Sequence, residues 1–243
     1  MRLDRWLVTL GLGSRSEAQR LIRSGAVCAE GNCVRDPSAD FLTEITPLAV
    51  GGKAVDGRLV RHVMLHKPAG LLTAARDKKQ PTVMELLPPA YGAMGCMPVG
   101  RLDKDTTGLL LLTTDGELNH RLLSPRRHVW KTYEAEVDGP LYPADEEAFA
   151  EGIPLSDFTA LPAEMTILSS GPMRSLARVR VREGKFHQIK RMFEARERTV
   201  LRLTRLSFGP LALDPMLAPG EWRELTEAEI AALYRDAAME EKA

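Results

Sequence analysis

At 243 residues the chain holds one large domain or a small one beside a medium one, and 44% apolar with 27% charged content is ordinary for a globular protein. Thirty-three Lys and Arg balance 33 Asp and Glu, yet eleven bases face three acids from Arg174 to Arg205 and seven acids face three bases from Glu221 onward. The zero sum therefore does not exclude a polyanion-binding surface. No run approaches a membrane span, and the charged start "MRLDRW" lacks an apolar leader segment, so a cytoplasmic protein is expected. Cys28, Cys33 and Cys96 are an odd set with no second pair to complete a zinc site. Reduced, structural thiols are expected, and no metal.

In chain order, Leu3, Trp6, Leu7 and Leu10 stand at helical spacing, ended by Gly11 and Gly13. A second helix follows in "SRSEAQRLIRSG", with Ser14 and Glu17 as a capping box, Ala18, Leu21 and Ile22 as its apolar stripe and Gly25 as its end. "AVCAEGNCVRD" reads as two short strands around Glu30-Gly31-Asn32. Arg15 begins the second helix, and Arg20 and Arg23 lie one turn apart on it, a solvated face or an RNA contact.

The wording "SR-x-EA-x-x-L-I-x-x-G-x-V" followed by that hairpin resembles the S4 RNA-binding domain over residues 2 to 50. The resemblance implies a module that docks on structured RNA through the second helix and the hairpin, by shape and phosphate contact. Residues 1–50 are accordingly expected as a small N-terminal α/β RNA-binding domain, residues 51–60 ("GGKAVDGRLV") as a Gly-rich linker, and residues 61–243 as the catalytic domain.

From Arg61 the pattern is mixed. "RHVMLHKP" is a strand ended by Pro68, "PTVMELLP" a short helix begun by Pro81, "LLLLTT" a buried strand and "TDGELNHRLLS" a helix. "KTYEAEV" alternates, with Tyr133, Ala135 and Val137 on one face; "SLARVRVR" alternates too, with Arg178, Arg180 and Arg182 opposite Ala177, Val179 and Val181. "FHQIKRMFEAR" is a helix with Phe186, Ile189, Met192 and Phe193 inward, "TVLRLTRLSFG" a strand, and Thr226 with Glu229 caps a last helix. Strands without strict β-α alternation predict an α+β fold on a mostly antiparallel mixed sheet.

In "GRLDKDTTGLLLLTTDGEL" two aspartates, Asp103 and Asp105, precede the most apolar strand of the chain. Asp and Thr make turns by bonding their own backbone. Alternatively, a strand anchored in the core holds one carboxylate rigidly at a cleft. Lys190 and Arg191 adjoin on the "HQIKRM" helix, where neighbours diverge by about 100°, so at most one aims fully at a cleft. Lys190 flanks the buried stripe and is the better candidate; Arg191 suits solvent or a phosphate.

Together with "SPRRHVWKTYEAEV" and "EGKFHQIKRMF", this stretch resembles the ribosomal RNA pseudouridine synthases, nearly end to end. Relatives tend to carry Asn before Lys67-Pro68, where this chain has His66. The resemblance implies isomerisation of a uridine in ribosomal RNA without a cofactor, in small-subunit RNA first and large-subunit RNA second. It implies Asp103 as the nucleophile or base, Lys190 as its cationic partner and Tyr133 as the ring that stacks on the target base. Arg101, Arg126, Arg127 and Arg191, with Arg15, Arg20 and Arg23, are the RNA-contact candidates. The partner is expected to be ribosomal RNA or a small-subunit assembly intermediate, met by a monomer. Two other readings compete: a non-catalytic RNA-binding assembly protein, which has no need of the Asp-Tyr-Lys trio, and an N-glycoside hydrolase using Asp103 and Asp105 together.

Overall fold

Helices α1 (Leu3–Thr9) and α2 (Arg15–Ser24) open the computed structural model, which describes residues 1–238. Ser14 and Glu17 cap α2 reciprocally, and Gly25 ends it at φ +79°, as the spacing predicts. Strands β1 (Val27–Ala29), β2 (Asn32–Cys33), β3 (Leu48–Val50) and β4 (Lys53–Val55) form a sheet ordered β2-β1-β3-β4. Leu3, Trp6, Leu7, Ala18, Ile22, Val27 and Leu48 form a core between helices and sheet.

Two expectations need correction here. The 51–60 stretch contains β4: Gly51 and Gly52 both take positive φ and turn the chain tightly from β3 into its antiparallel partner. Paired glycines there make a hairpin turn, not a flexible joint, and Trp6 Nε1 further ties the segment down by donating to Gly57 O at 2.7 Å. Cys28 and Cys33, expected as reduced thiols, are joined by a disulfide, because the hairpin register sets them directly opposite each other. Cys96 is free and buried, and burial pushes its thiol up to about 12.

Beyond residue 60 come β5 (His62–Lys67), α3 (Pro89–Ala93), β6 (Met97–Pro98), β7 (Thr107–Thr113), α4 (Gly116–Leu123) and β8 (Lys131–Asp138). Then follow α5 (Pro143–Glu151), β9 (Glu164–Ser169), β10 (Arg174–Val181), α6 (Gln188–Glu194) and β11 (Val200–Phe208). Strands β12 (Leu211–Ala212) and β13 (Trp222–Glu224) and helix α7 (Glu227–Asp236) complete the described chain. Nine strands form one sheet, ordered β13-β5-β7-β11-β8-β10-β9, with β12 on β11 and β6 on β7. "PTVMELLP" makes a single 3-10 turn, Val83–Leu86, and its cap is Thr82, whose backbone N–H donates to Glu85, rather than Pro81.

The fold is α+β, and every strand pair is antiparallel except β7 with β11. At that parallel seam Gly108 has φ +101°, and a Cβ on it would lie 2.2 Å from Arg205 O. Only glycine admits such an approach. The four leucines of β7 alternate between two cores, Leu110 and Leu112 on one face of the sheet, Leu109 and Leu111 on the other. Each is fully buried and contributes about 1.5–3 kcal/mol by leaving water. The strand that follows the two aspartates is thus a fixed anchor.

Candidate active site

The loop of residues 101–106 leads into β7 and is clamped from below. Lys67, at the end of β5, is fully buried and donates through Nζ to the carbonyls of Pro68 (3.0 Å), Lys104 (3.2 Å) and Thr106 (3.0 Å). Burial lowers its ammonium from 10.5 to about 8, against the pull of Asp105 and Asp103. Thr73 accepts from Leu102 N and donates to Leu102 O (2.8 Å), and Gly70 N donates to Lys104 O (2.8 Å). His66 has Nδ1 2.7 Å from Leu217 O, bonding the loop that precedes β13.

On this platform Asp103 is 28% exposed and faces α6. Lys190 Nζ stands 3.3 Å from Asp103 Oδ2, and His187 Nε2 stands 3.6 Å from Asp103 Oδ1. Lys190 also makes a shorter bond, 2.6 Å, to Asp105 Oδ1, whose side chain is 74% exposed. That bond holds the Asp105 carboxyl below the usual carboxylate range. Tyr133 is buried on β8 beside Ala135 and Val137, as the alternation predicts. Asp103, Tyr133, Lys190 and Arg101 line one cavity of about 60 Å³, together with Lys185 and His187. The three residues expected to carry the chemistry therefore meet, although they come from a loop, a strand and a helix distant in sequence.

A second cavity of about 410 Å³ adjoins the first through Tyr133 and Arg101 and is lined by Lys131, Arg182, Lys185 and Arg205. Burial, reinforced by Arg205, lowers Lys131 to about 8. Arg205 itself is buried and donates from Nε to Leu109 O at 2.7 Å across the parallel seam.

Of the seven arginines expected at RNA, Arg101 lines the first cavity and the other six fall into three groups. Arg20 and Arg23 are exposed on α2; Arg15 is exposed too, with Nε 3.5 Å from Asp4. Arg126 and Arg127 are exposed on a 3-10 turn, Pro125–Arg127, just before β8. Arg191 instead pairs with Asp157 and donates to Ser156 at 3.2 Å. On β10, Arg180 pairs with Glu164, and both Arg180 and Arg182 lie over Trp130.

Phe186, expected inward, is 70% exposed. Helix α6 begins only at Gln188, after His187 takes φ +50°, so Phe186 lies off the helix and its spacing to Ile189 carries no facial meaning. The inward position is filled by Gln188, which bonds Glu183 at 2.8 Å and accepts from Lys185 N. Lys67 and His187 are the site residues that motif reading missed. Lys67 had a signal: it continues the inner face of β5 after Val63 and Leu65, two residues at a time. His187 had none.

A model of the RNA pseudouridylate synthase family matches residues 61–195, and an S4 domain model matches residues 1–40. The chain belongs to the RNA pseudouridylate synthase family. It is 41% identical over 231 residues to an uncharacterized RNA pseudouridine synthase of Bacillus subtilis (strain 168), covering 95% of this chain and 97% of that one. It is 39% identical over 234 residues to the ribosomal small subunit pseudouridine synthase A of Pseudomonas aeruginosa, covering 95% and 99%. The protein of that name from Escherichia coli (strain K12) is 38% identical over 236 residues, covering 96% and 100%. Among solved structures, a pseudouridylate synthase superposes with a TM-score of 0.66 at 34% identity, covering 96% of this chain and 99% of that one. As a member of this family the synthase is an RNA isomerase. None of its described helices is long and apolar enough to cross a membrane.

Proposed function

We propose that the synthase converts one uridine of small-subunit ribosomal RNA to pseudouridine, with Asp103 as nucleophile or base, Lys190 as its cationic partner and Tyr133 as the ring beneath the target base. The observation that carries the assignment of roles is the position of Asp103. It is the carboxylate set in the cavity wall between Lys190 and His187, on a loop fixed by Lys67. Asp105 points to solvent by comparison.

The reaction breaks the bond from uracil N1 to the ribose anomeric carbon and forms one from C5 to that carbon; the proton leaves C5 and N1 gains one. Atoms balance within the substrate, so positioned side chains suffice. An ionised carboxylate in a partly dry site needs a cation beside it, which Lys190 supplies. The target base must leave its helix to reach Asp103, and stacking on Tyr133 offsets part of the unpairing cost. Exposed Arg101, Arg126 and Arg127 stand where the extruded strand passes, and Arg15, Arg20 and Arg23 dock neighbouring RNA. The small-subunit assignment draws on the relatives of that name. We further infer that the protein works in the cytoplasm, as a monomer, on ribosomal RNA or a small-subunit assembly intermediate.

The test is incubation with separate small- and large-subunit ribosomal RNA transcripts, followed by tritium release from C5 and mass measurement. Tritium release from the small-subunit RNA with unchanged mass is the expected result. Release from the large-subunit RNA alone would move the substrate, and loss of a base would make the protein a hydrolase.

A further inference from the structure

Phe186 is a large aromatic side chain at the mouth of the active site, and it is left 70% exposed. One face of its ring is covered by the His187 imidazole, with centroids 3.8 Å and planes 16° apart. His187 in turn reaches Asp103 at 3.6 Å. The ring lines an outer part of the cleft together with Thr73, Arg101, Asp103, Lys104 and Lys185. Tyr133 is not in that part; it lines the adjoining cavity, which shares Arg101, Asp103, Lys185 and His187 with it. Asp103 thus lines two adjoining pockets, each with an aromatic ring, one buried and one open.

We propose that the open face of Phe186 is a stacking site for the nucleobase adjoining the extruded uridine. The base, Phe186 and His187 form one stack beside Asp103. This rests on the RNA reading above and deepens it. The target base belongs on the inner side, against Tyr133, so the outer ring is free for its neighbour. The surroundings fit a nucleotide better than an apolar side chain of a protein partner. Arg101, Lys104 and Lys185 line the same part of the cleft as the ring and supply cations, and among the described residues Asp103 is the one carboxylate lining it. A π-face tolerates any base, so Phe186 positions the strand without reading its sequence.

The experiment uses the full chain. The Phe186→Trp variant is titrated with a single-stranded oligouridylate and, separately, with heparin, which has the charge of RNA but no bases. Its fluorescence in excess of the wild type's should be quenched by about half or more with the oligouridylate and little with heparin. In parallel, Phe186→Leu and Phe186→Ala should lower kcat/KM on ribosomal RNA by about tenfold or more, while Phe186→Tyr stays near wild type. Thermal melting of all four should match wild type, since the residue is exposed. Equal quenching by heparin, no quenching despite RNA binding, or a fully active Phe186→Leu variant would each overturn the proposal. The two readings fail separately: quenching with no pseudouridine formed by the wild type sinks the isomerase assignment, and pseudouridine formed without quenching sinks the stack.

Discussion

The Lys190 ammonium donates its shortest bond, 2.6 Å, to Asp105 Oδ1. It stands farther, at 3.3 Å, from Asp103 Oδ2. The exposed carboxylate is therefore a competitor for the cation that the recessed one needs. An exposed pair is screened by water and worth little, so the bond to Asp105 is a weak hold on the ammonium.

Asp105→Asn should accordingly preserve isomerisation within about tenfold, since Lys190 is then free to serve Asp103 alone. Lys190→Met should lower kcat far more than Asp105→Asn does, because Asp103 then loses the ammonium that faces it. Steady-state rates for both variants decide it. A collapse of kcat in Asp105→Asn, with Lys190→Met near wild type, would exchange the roles of the two aspartates.

Lys67 gives a prediction at the alkaline end. Its ammonium titrates near 8 in the folded protein, against an ordinary 10.5. Between those values the unfolded chain holds the extra proton, so this group's contribution to stability rises with pH across that window. The loop, however, loses a bond: a neutral amine has two hydrogens for three carbonyls. The expected result is a fall in kcat above about pH 8 with no matching loss of stability. Lys131 also titrates near 8, but it lies in the adjoining cavity. The fall should therefore persist in Lys131→Met and be absent from Lys67→Met, which should be slower at every pH and less stable by roughly 2–4 kcal/mol.

Removing residues 1–50 would take away Trp6, which holds Gly57, and strip β4 of its partner strand, so charge removal is the cleaner probe of docking. Arg20→Ala with Arg23→Ala should weaken RNA binding and lower the slope of log affinity against log salt by about two. The rate at saturating RNA should not change. A double variant with wild-type affinity and slope would remove α2 from the interface.

Much of this architecture is visible in the sequence because local rules and tertiary packing agree. Ser14 with Glu17 and Thr226 with Glu229 cap helices wherever they occur, and the alternation around Tyr133 survives because one face of β8 is buried. The readings that fail do so where one local signal has two meanings. Gly51-Gly52 marks flexibility by composition but a hairpin by backbone angle. Phe186 keeps helical spacing to Ile189, yet one left-handed residue, His187, delays the helix and turns the ring outward. Cys28 and Cys33 pair only because the turn between them sets the register. Lys190 over Arg191 follows from helix geometry and the buried stripe, but its division between Asp103 and Asp105 depends on distances of a few tenths of an ångström, which no spacing encodes.

The central claim is that Asp103 does the chemistry, and the Asp103→Asn variant tests it most directly. Its side chain is nearly isosteric, and Lys190, His187 and the Lys67 clamp all remain, so RNA affinity should stay within about threefold while the amide can act neither as nucleophile nor as base. Pseudouridine in a small-subunit ribosomal RNA transcript is mapped after incubation with wild type and variant at matched, saturating concentration. The wild type is predicted to modify one uridine and the variant none, a loss on the order of a thousandfold or more. Pseudouridine formed by the variant at a comparable rate would contradict the account.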